Sequence, residues 1–381
     1  MITFIKNSIK NKKFRLTIII FTSLLILFSC NKNPLGYDEL ERNIPNPVSV
    51  ELKPSSRYSY GKYINLGSSE LLVLGRNSEY ESRILIQFPL NESLLVNNVN
   101  SVKLYLYLKR QKNISFSIYP ISKQSEWKEN YATWKQSDEN NTPWNGGYFY
   151  PSLLANGILT ADSCIIELNR NLLDTLVNHS YGLIIIPDTS ASDFATIYSR
   201  HTSKSPKLVL SYSNTTTTLT PTQDCHIIDT LNLSMTFIDH WVGSGFPFRT
   251  ILRFSLDTIP NNVTITNAEL ILNIDHKFSL SETLELGIWR MLDSITPTNF
   301  KDAKFASSHS AKKPYPITND SIKIDLRNLV QQWVIKPDSN FGCLISILPE
   351  YFEISRLHLK IDTMFGPRLK IGYITPPEGR F

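Results

Sequence analysis

Cysteine is scarce, and so are clustered histidine and long apolar runs. The four cysteines among 381 residues (Cys30, Cys164, Cys225 and Cys343) show no CxxC spacing, and the seven histidines are scattered. This excludes a Cys/His metal cluster. No stretch has the alternating oxygen ligands of a calcium loop. A structural calcium stays open without named ligands, and no other cofactor is expected. No Ser/His/Asp set or Tyr/His/Arg lyase set stands out. Glu126, Glu129, Asp138 and Glu139 are close in sequence, but glycoside hydrolysis needs two carboxyls about 5–10 Å apart. Nothing in a polar loop sets that distance. No catalytic residue is therefore assigned, and a polysaccharide lyase or hydrolase is the least favoured function.

Acidic residues are missing from positions 1–29, which carry Lys6, Lys10, Lys12, Lys13 and Arg15. Those five account for the whole net charge of +5, leaving 34 basic against 34 acidic residues in the rest. A neutral body argues against nucleic acid as a partner. The basic stretch precedes an apolar run at 16–28. At about 13 residues it has the length of a signal-peptide core and is short for a membrane span. The run ends in Leu27-Phe28-Ser29-Cys30, which resembles the bacterial lipobox. The resemblance implies a signal peptide over 1–29 and a diacylglycerol thioether on Cys30, anchoring the protein to a membrane. Asn31 rather than Asp at the next position favours the outer membrane. Ordinary cleavage or an uncleaved anchor are the alternatives. Residues 30–47 read as a polar, Pro-punctuated tether.

The body repeats. Arg83-Ile-Leu-Ile-Gln-Phe-Pro-Leu90 aligns with Arg249-Thr-Ile-Leu-Arg-Phe-Ser-Leu256, and 102–107 aligns with 268–273, at the same offset of 166. Residues 166–168, 181–186 and 205–212 align with 324–326, 341–346 and 366–373 at offsets of 158–161. Five matches in one order indicate tandem duplication of a unit of about 160 residues. The expected organisation is a first module over 48–212, a Thr-rich linker over 213–220, a second module over 221–375 and a tail over 376–381.

Within each copy the legible elements are strands. Leu104, Leu106 and Leu108 alternate with Tyr105 and Tyr107 at the period of a half-buried strand. Helices are expected only at 325–334 and 169–177. Leu326, Leu329, Val330 and Trp333 form an i, i+3, i+4, i+7 stripe. The predicted fold class is all-β: two tandem antiparallel β-sandwich (jelly-roll) domains of about eight to ten strands each. Cys164 and Cys343 lie in apolar runs and read as buried free thiols, although an exported protein could pair two of its cysteines.

The first copy resembles the DNRLRE-type modules, which are jelly rolls related to the methanogen disaggregatase and to certain carbohydrate-binding modules. The carrying residues are 83–88, 102–108, Trp127 with Ala132-Thr-Trp134, Thr142-Pro-Trp144, Gly146-Gly147, Tyr181-Gly182 and 205–210. The second copy lacks the tryptophan string. The resemblance implies a non-catalytic module on an exported protein, some members of the wider group binding polysaccharide. Trp127, Tyr131, Trp134, Trp144 and Tyr148 could stack on sugar rings, whose C–H faces pack on flat aromatics. The competing reading has the tryptophans plugging the open end of the sandwich. Arg83 and Arg249 occupy equivalent positions, where they could clamp an anion or make a structural ion pair. Retention in both copies favours the ion pair. Arg200 and Arg356, read as lying in matching pre-strand loops, carry the same ambiguity. The function expected is an envelope lipoprotein that binds or adheres, with polysaccharide as the candidate ligand of the first module. The alternative is a structural component that docks envelope proteins.

Overall fold

The computed structural model describes residues 47–95, 99–124, 126–232 and 240–376. The signal segment, Cys30, nearly all of the tether and most of the tail lie outside these residues. Twenty-two strands and two short helices are present among them. The first half contains β1 (Val48–Leu52), β2 (Ser56–Gly61), β3 (Leu71–Arg76), β4 (Tyr80–Gln87), β5 (Ser101–Arg110) and β6 (Ile114–Ser122). It continues with β7 (Ala155–Leu159), β8 (Ser163–Leu168), α1 (Leu173–Asn178), β9 (Ser180–Pro187), β10 (Phe194–Tyr198) and β11 (Lys207–Ser211). The second half contains β12 (Thr216–Leu219), β13 (Gln223–Thr230), β14 (Trp241–Ser244), β15 (Phe248–Arg253), β16 (Thr264–Ser279) and β17 (Thr283–Arg290). It ends with β18 (Ala311–Pro316), β19 (Ser321–Asp325), α2 (Arg327–Ile335), β20 (Cys343–Leu348), β21 (Ser355–Leu359) and β22 (Arg368–Ile374). No helix among these residues is long and apolar enough to cross a membrane.

The strands form two antiparallel sandwiches with matching partners. In the first, β5 pairs with β11 and β8, and β11 pairs with β12. Its other sheet runs β7-β6-β9-β4-β13. In the second, β16 pairs with β22 and β19, and β22 pairs with β1. Its other sheet runs β18-β17-β20-β15-β2. In the first, β10 pairs with β5 and β3, and β3 with β4, so the two layers are joined into one continuous eleven-stranded sheet; in the second, β21 pairs with β16 and β14. Each sandwich thus has eleven strands, in corresponding places.

Pairing does not respect the copies. The first sandwich takes its last two strands, β12 and β13, from beyond residue 212. The second takes β1 and β2 from the start of the chain, with Val48 opposite Tyr373 and Tyr58 opposite Ile251. The sheets therefore group 71–230, and 48–61 with 241–374. The expected boundaries at 212 and 221 fall inside the first group, and residues 48–61, expected in the first module, belong to the second group. The expected linker also differs: Thr216–Leu219 is an edge strand paired with β11. Threonine suits a half-exposed strand, which explains how a low-complexity run can hold one.

Alternation places one face of each strand in the core. Leu104, Leu106 and Leu108 point between the sheets with Ile84, Ile86 and Ile185, while Tyr105 and Tyr107 stay half-buried outside. The helical stripe Leu326, Leu329, Val330 and Trp333 is wholly buried in the second core. α1 buries only Leu173 and Leu176 after a 3-10 turn at Arg170–Leu172. A third cluster joins the sandwiches: Val73, Tyr80, Phe194 and Ile228 meet Phe246, Phe248 and Ile354. Cys164, Cys225 and Cys343 are free thiols, the last two buried. Gly182 and Gly342 explain one repeated dipeptide. Both have positive φ, at 109° and 94°, and a Cβ would lie 2.3 Å from Ile86 O or 2.4 Å from Leu252 O.

This grouping predicts how the chain can be cut. A fragment spanning 62–231 keeps all eleven strands of its sandwich and is expected to fold. A fragment spanning 221–376 lacks β1 and β2 and is expected to stay unfolded unless residues 47–61 are supplied. Amide dispersion in ¹H–¹⁵N spectra checks both, and a well-dispersed 221–376 fragment would sink the assignment.

Candidate functional site

The long β6–β7 connection carries the tryptophans, and it folds over the outer face of the β7-β6-β9-β4-β13 sheet. Leu85 on β4, Ile184 on β9, and Cys225 and Ile227 on β13 point outward into a cluster with Trp127, Trp134 and Trp144. Their sequence neighbours Ile84, Ile86, Leu183 and Ile185 point the other way, into the sandwich. The central strands are therefore buried on both faces. The three tryptophans are at most 5% exposed. Trp127 Nε1 donates to Tyr181 O at 2.9 Å, and Trp144 Nε1 to Thr133 O at 2.7 Å. They form a lid on a sheet face, not a plug in the open end and not a sugar platform. Gly146 has φ 87°, and a Cβ there would lie 2.8 Å from the Trp134 ring.

Arg83 is part of this lid. Its guanidinium carbon sits 4.4 Å from the Trp134 ring centroid, Nε donates to Glu81 Oε1 at 2.8 Å and Nη1 to Gly146 O at 2.9 Å. Arg249 does the same in the second sandwich. It lies 5.3 Å from the Phe305 ring and pairs with Glu350 through Nε at 2.8 Å and Nη2 at 2.6 Å. There the lid is built from Phe300, stacked at 5.2 Å on Tyr58 of β2, with Phe305 and Met291. The structural ion-pair reading of Arg83 and Arg249 is the one this geometry supports.

Arg200 is also engaged. Its Nε donates to Glu129 Oε1 at 2.6 Å and its Nη2 to Oε2. Its backbone N–H donates to Asp224 Oδ2 at 2.6 Å, and Asp224 N–H donates to Glu129 Oε1 at 3.0 Å. His201 Nε2 lies 2.9 Å from Gly67 O and 3.5 Å from Glu129 Oε1. Glu129, His201 and Asp224 place ligand-type atoms within 4.8 Å of one another. Their donor set is already committed, since Arg200 holds both Glu129 oxygens and His201 Nε2 faces a carbonyl it must donate to. Asp224 Oδ1 is buried and has no hydrogen-bond partner among the described residues. Burial pushes the Asp224 carboxyl up to about 7, and the Glu129 charge adds to this against the pull of Arg200. Asp224 escapes sequence reasoning because it sits on β13, 95 residues from Glu129. Arg356 does not match Arg200: it lies on β21, over Trp241 at 4.2 Å and paired with Glu79 across the sandwich junction.

The other acids are tied locally. Glu126 pairs with Lys128 at 2.6 Å, and Asp138 accepts from Asn140 N–H and Thr142 N–H at 3.0 Å each and from Thr142 Oγ1 at 2.8 Å.

Tyr131 and Tyr148 of the expected set are exposed, at 47% and 43%, and Phe149 at 37%. Beyond the lid the outer sheet face is open. Phe149 leans on Tyr119 of β6 with centroids 5.0 Å apart. Ser117 Oγ donates to Asn156 Oδ1 at 2.9 Å across the β6–β7 pair, and Ile158 stands exposed opposite Ser115. An aromatic pair, a small polar pair and an apolar edge thus lie side by side on this surface.

No protein-family model matches the chain, and no curated protein matches it. Among solved structures it is similar to the N-terminal CBM22-1–CBM22-2 tandem domain of Paenibacillus barcinonensis Xyn10C, at 8% identity, over 85% of this chain and 100% of that one, with a TM-score of 0.17. A protein from Parabacteroides distasonis, described as secreted, matches at 8% identity over 88% of this chain and 93% of its own, with a TM-score of 0.15.

Asp224 gives a pH prediction. Its folded pKa of about 7 lies above the ordinary value of 3.8, so the folded state holds the proton more tightly than the unfolded state. Its stabilising contribution is complete below about pH 4 and is lost as pH rises through about 7. Asp224→Asn keeps an acceptor for Arg200 N–H and removes the buried charge. It is expected to match the wild type near pH 4 and to exceed it by about 2–4 kcal/mol at pH 8. Urea unfolding at both pH values checks this, and a gap that does not change with pH would contradict it.

Proposed function

We propose that the chain is a lipid-anchored envelope protein whose body is a non-catalytic binding module for neutral glycan. The carrying observation is the open outer face of the first sandwich, where Phe149 and Tyr119 pair at 5.0 Å beside Ser117, Asn156 and exposed Tyr148. Rigid aromatics supply stacking area at low entropic cost. A body with balanced charge offers no global field for acidic polymers, which favours neutral sugars. The resemblance to DNRLRE-type modules supports the same reading. Of the expected contact residues, Tyr131 and Tyr148 stay in this proposal; Trp127, Trp134, Trp144, Arg83 and Arg200 leave it, because packing and ion pairs engage them.

In affinity electrophoresis against neutral and acidic polysaccharides, a neutral glycan is expected to retard the wild type. Tyr148→Ala should lose most of the retardation while keeping the wild-type Tm, and Phe149→Ala should lose it with a Tm lowered by the lost packing on Tyr119. Retardation unchanged in both variants, or no glycan retarding the wild type, would remove this reading. In the latter case exposed Leu153, Ile158 and Ile165 favour the second reading, a protein-docking surface.

The lipobox Cys30 carries the anchoring half of the proposal, with the outer membrane as its address. Cys30→Ser expressed in a Gram-negative cell is expected to abolish palmitate labelling and to move the protein from the detergent to the aqueous phase. Unchanged partitioning would count against the anchor.

A further inference from the structure

Two histidines meet on the outer face of the second sandwich, on a different sandwich from the proposed glycan surface and independent of it. Leu357 and Leu359 of β21 point into the core, so His358 between them points outward. On β16 and β21, Ile274 stands opposite Leu359 and His276 opposite His358, so Asp275 is an extra residue bulged out of the ladder. A bulge sets two residues of one strand against one of its neighbour and re-aims their side chains. Here it changes the chemistry of the face. Ile274 packs in the core, while Asp275 and His276 both turn to the side of His358. Asp275 Oδ1 lies 2.6 Å from His358 Nδ1, and the His276 and His358 rings have centroids 6.2 Å apart. Local spacing gives no sign of this set, because 83 residues separate Asp275 from His358.

The side chains divide the tasks of a metal site. A carboxylate at Nδ1 takes the proton of that nitrogen and leaves the Nε2 lone pair of His358 for a cation, which is how metal-ligating histidines are oriented. Nε2 makes no hydrogen bond among the described residues and is open to solvent, the side chain being 15% exposed. His276 is exposed, and its ring makes no hydrogen bond among the described residues. Trp241 of β14 lies against the His358 ring, with centroids 4.2 Å apart, and holds its plane. The Arg356 charge on the same face is drawn off to Glu79.

We propose that His276 and His358, with Asp275 as the positioning carboxylate, form a site for one late transition-metal ion of the zinc and copper class. Metal–imidazole bonds of about 2.0–2.1 Å at a tetrahedral angle put two ring centroids about 5 Å apart, about 1 Å closer than in the structure. Rotation of the exposed His276 side chain closes that gap without moving either strand. Two imidazole nitrogens select against calcium and magnesium, which take oxygen ligands. The remaining coordination positions fall to water or an external ligand, so this is an open site and not a closed structural one.

The test is a titration of full-length protein, its histidine rings ¹³C-labelled, with zinc chloride and, in a separate arm, calcium chloride. Zinc is expected to shift the His276 and His358 ring signals together and saturably, and calcium to leave them in place. His276→Ala, at an exposed position that leaves the fold intact, should weaken zinc binding about tenfold or more. Asp275→Ala should weaken it about tenfold by freeing the His358 ring, and Asp275→Asn, which still accepts from Nδ1–H, should recover most of the loss. His201→Ala, in the Glu129 cluster, and His309→Ala, on an exposed loop, should bind zinc as the wild type does. If zinc shifts neither ring, if calcium shifts them equally, if His276→Ala binds as the wild type does, or if His201→Ala abolishes binding, the proposal fails.

Discussion

A strand with an unpaired side leaves a row of N–H and C=O groups without partners and invites misassociation. The second sandwich meets this constraint with the start of the chain. β15 lies between β20 and β2, and β22 between β16 and β1, so both ladders are complete only when residues 48–61 are in place. Much else rests on that pairing. Tyr58 and Tyr60 of β2 form the floor on which Phe300 packs, and Ser55 closes one side of a cavity beneath α2. The junction between the sandwiches follows as well, since β2 leads through Tyr63, whose hydroxyl donates to Asp229 at 2.5 Å, into the first sandwich.

The lids show one problem solved with two sets of residues. Central strands such as β4 and β15 carry large apolar side chains on both faces, Ile84 against Leu85 and Leu252 against Ile251. The outward set must be covered. In the first sandwich three tryptophans cover it; each buries on the order of 200 Å². In the second, phenylalanines and tyrosines do. In both, an arginine lies against a lid ring and is held there by a carboxylate: Glu81 two residues away, or Glu350 from a distant loop. The tryptophan string is therefore one filling of a shared slot, and its absence from the second copy costs that copy no cover.

Local periodicity made much of this readable from sequence. The β5 alternation, the α2 stripe and the Arg83–Arg249 equivalence each depend on residues within one element or at one repeat offset. What could not be read depends on pairing at long range. Nothing near Val48 marks its partner as Tyr373, and nothing near Glu129 marks Asp224. Tryptophan is ambiguous by nature, being apolar enough to pack and polar enough to line a site. Trp127, Trp134 and Trp144 pack. Trp333 looks from its spacing like plain core, and only the structure shows its indole N–H without a hydrogen-bond partner among the described residues. The Thr-rich run was obscure because a poor linker signal and a good edge-strand signal use the same residue.

The crossing of β1, β2, β12 and β13 has a genealogical meaning. With β12 counted to the second copy, each copy supplies eleven strands, β1–β11 and β12–β22, yet neither closes with its own first two. Copy one lends its opening pair to copy two and borrows copy two's in return. A single ancestral copy would have closed on itself or traded the same pair with a second molecule. The present chain holds the traded arrangement within one molecule. Val48 faces Tyr373, so the first strand of copy one and the last strand of copy two lie side by side in one ladder.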